Sequence, residues 1–173
     1  MNQSLDLIGS YILGGIVVLA LVGLTLSYNG KTQETKLSEI AQYNTEETGK
    51  IIENDFDKLG YRVSGSKIIR IDSSSITFMA DLDNNGTADS VTYSTSTQNN
   101  RLYLTRRVVG AQLNSWQIPV KRFSISGIDS TGAATYNILN IKGISVSLTT
   151  NKESGAKYEI GAFWQRNFYP KNL

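Results

Sequence analysis

"LDLIGSYILGGIVVLALVGLTLSYNGK", residues 5–31, decides how this chain is built. From Leu7 to Leu26 it runs for twenty residues without a charge. At about 1.5 Å per residue, a helix of that length spans the roughly 30 Å hydrocarbon layer of a bilayer. The stretch therefore reads as a transmembrane helix. A cleaved secretory signal is the rival, but it calls for a basic start, a shorter apolar run of roughly 7–15 residues and a small-residue cleavage site. No Lys or Arg precedes Lys31. Because cytoplasmic flanks of membrane helices carry Lys or Arg, two expectations follow: an outward-facing N-terminus, or removal of a basic leader. Asp6, an acid at the head of the apolar run, is the anomaly that any account of this segment must explain.

Beyond Lys31 the sequence continues "TQETKLSEIAQYNTEETGKIIENDFDKLGYR". Leu37, Ile40, Ala41, Thr48, Ile51, Ile52, Phe56 and Leu59 recur at spacings of three, four and seven, which places them along one side of an α-helix. No proline interrupts residues 1–118, and Gly60 is a natural C-terminal stop. Two readings stand: a break at the turn-prone pair Asn29-Gly30, or one helical spine from about residue 4 to 59, on the order of 80 Å long.

Past Gly60 the period changes. "SKIIRI", "SITFMADL", "SVTYSTS", "RLYLTRRVV", "WQIPVKRFSI", "ISVSLTT" and "KYEIGAFWQR" are short β-branched and aromatic runs separated by Ser, Asn, Gly and Asp clusters. They predict an antiparallel sheet covered by the Ile51/Ile52/Phe56/Leu59 side of the stem. The expected class is α+β: a long N-terminal helical spine packed on an antiparallel β head. Its parts are a hydrophobic transmembrane or filament-core helix over 1–30, an amphipathic stem over 31–60 and a head over 61–173.

Charge and composition exclude several functions. The net charge is only +2, which argues against a nucleic-acid specialist. Its distribution is uneven, with seven acids against four lysines in residues 31–60 and thirteen bases against seven acids in 61–173. Cysteine and histidine are absent, which removes disulfides, the usual zinc sites, thiol nucleophiles and every triad that needs an imidazole. No spacing suggests a Ser-Lys dyad, a phosphate loop or a paired-carboxylate site, so the chain is expected not to be an enzyme.

"DLDNNGTAD", residues 81–89, is the one stretch with ligand chemistry. Asp81, Asp83, Asn85, the Thr87 carbonyl and Asp89 occupy positions 1, 3, 5, 7 and 9 of a calcium loop, with Gly86 at the sharp turn. Position 12 is Thr92 rather than a bidentate Glu, so this is not an EF-hand. The alternative is a β-hairpin whose Asn85-Gly86 pair accepts positive φ, its aspartates merely solubilising. Two weaker signals accompany it. "RLYLTRR" with Lys121 and Arg122 gives a basic face near Tyr103 and Trp116, for which the readings are a site for nucleic acid or anionic lipid and, the one favoured, a solvated sheet face. "FWQRNFYP" offers either a subunit contact or a last strand packed into the sheet.

The hydrophobic helix with an early acid, the amphipathic stem and the following sheet together resemble a type IV pilin or pseudopilin. "IIENDFDKLGYRVSG", "ITFMADLDNNGTADSVTYS", "RLYLTRRVVG" and the C-terminal "VSLTTNKESGAKYEIGAFWQRNFYPKNL" are closest in character to the J-like minor pseudopilins. The resemblance implies a precursor cut by a prepilin peptidase, passage through the inner membrane, and assembly by pilus machinery into a homo-oligomeric extracellular filament on a bacterial-type cell surface. It also implies a role for Asp6: pilins carry an acid near mature residue five that neutralises a neighbour's N-terminal amine in the apolar core. The alternative for Asp6 is a first-turn residue at the lipid headgroups, favoured by the helix dipole. Gly14, Gly15 and Gly23 answer either to the unwound segment of assembled pilins or to close helix packing in a membrane. The family's G-F-T-L-x-E sequence and its helix proline are not found here. Two alternatives remain beside a major subunit: a low-copy minor pseudopilin at a filament tip, and a single-pass anchor displaying a calcium- or ligand-binding β-domain.

Overall fold

The structure, a computed structural model, describes the backbone of residues 3–110, 115–152 and 160–173 and the side chains of 8–110, 115–150 and 161–173. One α-helix, α1, runs unbroken over Gln3–Asp57. Asn29-Gly30 neither breaks nor ends it. Each residue costs at most about 1 kcal/mol of helix propensity, too little to interrupt a helix that continues for more than 25 residues on both sides. The hydroxyls of Thr25, Thr32 and Thr35 donate to carbonyls one turn back, at Leu21, Tyr28 and Lys31, 2.9–3.0 Å away. They therefore make no demand on solvent. The helix stops where Gly60 takes φ +75° and its N–H turns to Met79 O at 2.9 Å.

The strands form two antiparallel sheets rather than one. β1 (Ile68–Asp72), β2 (Ser75–Ala80), β3 (Asp89–Gln98), β4 (Arg101–Val109) and β5 (Trp116–Val120) make a meander in chain order. β6 (Arg122–Ile128), β7 (Ala134–Thr135), β8 (Gly143–Lys152) and β9 (Ile160–Phe168) form the second sheet, in the order β7-β6-β8-β9. The run "WQIPVKRFSI" divides between them. Pro119 contributes no N–H to a ladder, and Lys121 N–H bonds to Thr149 O of β8 at 2.8 Å, drawing the chain across to the second sheet. Between β3 and β4, Asn99 and Asn100 both take positive φ, the geometry of a tight hairpin turn that matches strand twist.

The stem lies on both sheets. Its buried stripe is Ala41, Thr45, Thr48, Ile52, Asp55 and Leu59, steps of three and four residues, with Phe56 four residues on from Ile52 beside it. Ile51, expected on this side, is 38% exposed, because it sits about 100° around the helix from Ile52. Phe56 is the central contact: its ring is 5.1 Å from Phe78 of β2, 5.8 Å from Tyr93 of β3 and 5.2 Å from Phe168 of β9. One fully buried aromatic side chain thus touches both sheets.

Candidate functional site

In the first half of α1 none of the described large apolar side chains is buried against the rest of the chain. Every large apolar side chain from Ile8 to Tyr28 is at least half exposed. Among the described residues this is the one helix long and apolar enough to cross a membrane. A Cβ added at Gly14, Gly15 or Gly23 would find open space within 4 Å, so within the isolated chain these glycines serve no close contact. The helix is regular through all three. Asp6 lies within α1, and its side chain is outside the described residues.

The 81–89 stretch does form a hairpin connection, between β2 and β3, with Ala80 paired to Asp89. Its left-handed residues are Asn84 (φ 61°) and Gly86 (φ 88°), not Asn85. Carboxylate oxygens of Asp81, Asp83 and Asp89 lie within 4.8 Å of one another. Asp81 and Asp89 are fully buried, while Asp83 is exposed. Asp81 Oδ2 accepts from Gly86 N–H (3.0 Å) and Arg62 Nη1 (3.2 Å), and Asp89 Oδ2 accepts from Leu82 N–H (3.0 Å). The other oxygen of each buried acid, Asp81 Oδ1 and Asp89 Oδ1, is buried with no donor among the described residues. Asn85 donates through its side chain to Asp83 Oδ2 (2.9 Å) and accepts from Thr87 N–H (2.7 Å). Burial pushes the Asp81 carboxyl up, but the Gly86 amide and the Arg62 guanidinium outweigh it and hold it below the ordinary value. Burial raises Asp89; the Leu82 amide opposes the rise and the Asp83 and Asp81 charges add to it. Thr92, the twelfth position, is inside the sheet opposite Thr77, which agrees with the exclusion of an EF-hand.

Sequence reasoning missed a third feature. Asp55, one of the seven acids counted in residues 31–60, is 1% exposed, and Arg106, assigned to a basic face, is 6% exposed. Asp55 Oδ2 accepts from Arg106 Nε at 2.6 Å and from Tyr93 Oη at 2.6 Å, and Oδ1 accepts from Arg106 Nη2 at 2.9 Å. Burial lowers the Arg106 pKa, yet the hydrogen bond and charge of Asp55 more than reverse this, so the guanidinium is held charged. The group clamps the last turns of α1 to β3 and β4. Arg107, Lys121 and Arg122 do face solvent. In the C-terminal strand the packing role is realised, with Phe168 buried and Trp164 half-buried, while Phe163 and, just past the strand, Tyr169 are each 65% exposed.

Comparison of the chain with models of known protein families, with characterised proteins and with solved structures gave no match.

Proposed function

We propose that this chain is a structural subunit of a type IV pilus-like extracellular filament. The observation that carries the reading is the division of α1. The last third of a single unbroken helix, from Ala41 onward, packs on a folded head, and the described large apolar side chains of its first half, Ile8 to Tyr28, are at least half exposed on every face. So large an apolar surface must be covered by lipid or by protein. Before assembly it lies in the membrane; during assembly, contacts with lipid are replaced by contacts with neighbouring helices, for which small residues such as Gly14, Gly15 and Gly23 permit close approach. In the apolar core Asp6 pairs with a neighbour's amino terminus, since an ammonium and a carboxylate buried together cost far less than either alone. Prepilin peptidase and pilus assembly machinery are the partners this reading requires, and no catalytic step is assigned to the chain.

The test is electron microscopy of material sheared from cells, with mass spectrometry of this chain's N-terminus in the same fraction. Helical fibres built mainly from this protein support the proposal. Scarcity of the chain in such fibres points to a minor subunit. Retention in the membrane fraction without fibres would overturn polymerisation and leave a single-pass anchor.

A further inference from the structure

The β2–β3 connection holds an arrangement that its own chain leaves incomplete. Two carboxylate oxygens, Asp81 Oδ1 and Asp89 Oδ1, are buried without a donor among the described residues. Buried polar atoms are nearly always partnered, and a buried carboxylate oxygen without a partner is costly. Asp81 and Asp89 belong to a cluster with Asp83 in which each of the three acids offers one carboxylate oxygen within 4.8 Å of the others. Two oxygens bound to one Ca²⁺ at about 2.3–2.6 Å each stand at most about 5 Å apart, so a single ion fits this spacing. Arg62 and Lys58 bond elsewhere: Arg62 Nη1 donates to Asp81 Oδ2 at 3.2 Å and to Asn84 O at 3.4 Å, and Lys58 Nζ donates to Leu82 O at 2.6 Å.

We propose that this loop is a Ca²⁺ site in which Asp81, Asp83 and Asp89 supply carboxylate oxygens and Asn85 Oδ1 and the Thr87 carbonyl complete the set. Calcium rather than magnesium suits a site built from irregularly placed protein oxygens with two ligands fully buried, because Mg²⁺ demands near-ideal octahedral geometry and gives up its water reluctantly. The ion would do more than satisfy the two oxygens. Asp81 N–H bonds to Tyr61 O, and Leu82 O receives Lys58, so the loop is tied to the segment where α1 ends. Occupancy would therefore fix the junction of spine and head. The inference holds whether or not the chain polymerises.

The experiment uses the full chain in detergent micelles, stripped with a chelator and then titrated with CaCl₂ by calorimetry and by thermal unfolding. One ion bound per chain, with a saturating rise in Tm, is expected. Asp83→Asn alters an exposed residue whose hydrogen bonds stay within the loop, so it should unfold at the same temperature as the parent without calcium. It should bind Ca²⁺ roughly tenfold or more weakly, because ligand charge sets affinity in such sites. The absence of heat and of any Tm shift at millimolar Ca²⁺ would overturn the site. So would a shift that Asp83→Asn leaves undiminished, and an equal response to MgCl₂ would overturn the assignment to calcium.

Discussion

Replacing Asp55 by Ala tests how the spine is held to the head. In the native protein Asp55 accepts three hydrogen bonds, from Arg106 Nε and Nη2 and from Tyr93 Oη, at 2.6–2.9 Å. The side chains of the ion pair are only 2% and 7% exposed, so water cannot take over the lost bonds. Removing one partner of such a buried pair costs about 3–5 kcal/mol, because the charge left behind stays desolvated. The Tyr93 hydroxyl also loses its acceptor, which adds about 1–3 kcal/mol if nothing relaxes. These figures are not additive, and a loss of about 4 kcal/mol is expected. At roughly 3–5 °C per kcal/mol for a head of this size, Tm should fall by some 10–20 °C. Urea unfolding of the full chain in micelles reads this directly, since both tryptophans, Trp116 and Trp164, report on the head. Replacing the whole group by apolar residues, Asp55→Leu with Arg106→Met and Tyr93→Phe, should recover most of the loss. A loss below about 1 kcal/mol for Asp55→Ala, the level of an exposed pair, would refute the argument.

Four further outcomes are expected. Gly49→Ala should destabilise the head, because its Cβ would fall 2.7 Å from Trp164 Nε1 and 2.9 Å from Cε2. Overpacking of about 1–3 kcal/mol exceeds the roughly 1 kcal/mol gained in helix propensity; the same urea assay decides. Gly14→Ala, Gly15→Ala and Gly23→Ala should leave head unfolding unchanged yet reduce fibre yield in sheared fractions, and unchanged yield would remove these glycines from the proposed filament core. Asp6→Ala should abolish fibres while the chain still reaches the membrane, whereas normal fibres would assign Asp6 to the headgroup region instead. Burial, with the Asp55 charge beside it, raises the Tyr93 pKa well above 10.0. The folded state therefore keeps a proton that the unfolded state loses near pH 10, and stability should be level below that pH and decline above it. Tyr93→Phe should flatten the decline, as followed by unfolding across alkaline pH.

The sequence made the spine legible because a proline-free stretch with spacings of three and four carries few competing structures. The β2–β3 hairpin and β4 were legible for the matching reason, alternation bounded by turn residues. The clamp was not read, since an acid on a stem and an arginine in "TRR" are most simply solvated. Yet the periods pointed to both. Asp55 is three residues from Ile52 and four from Leu59, and Arg106 alternates with Leu104 and Val108, all of them buried. Only tertiary structure brings together groups separated by 51 positions. The division into two sheets was hidden because "WQIPVKRFSI" has one continuous β pattern, and the change at Lys121 depends on a partner, Thr149, that lies far along the chain.

The attachment of α1 to the head also has a mechanical meaning. Thr45 meets Thr150, Glu53 pairs with Arg166 and Asp55 with Arg106 along the last third of one rigid rod, and Lys58, just past its end, reaches Leu82. A pull along the axis of that rod loads these contacts side by side in shear, so they share the force rather than opening one after another as in peeling. A flexible linker at Asn29-Gly30 would let the head swivel; the unbroken helix instead passes tension and torque straight into the β-sheets. Under an optical trap the head should come away from the spine in one abrupt rupture, not in a series of small steps.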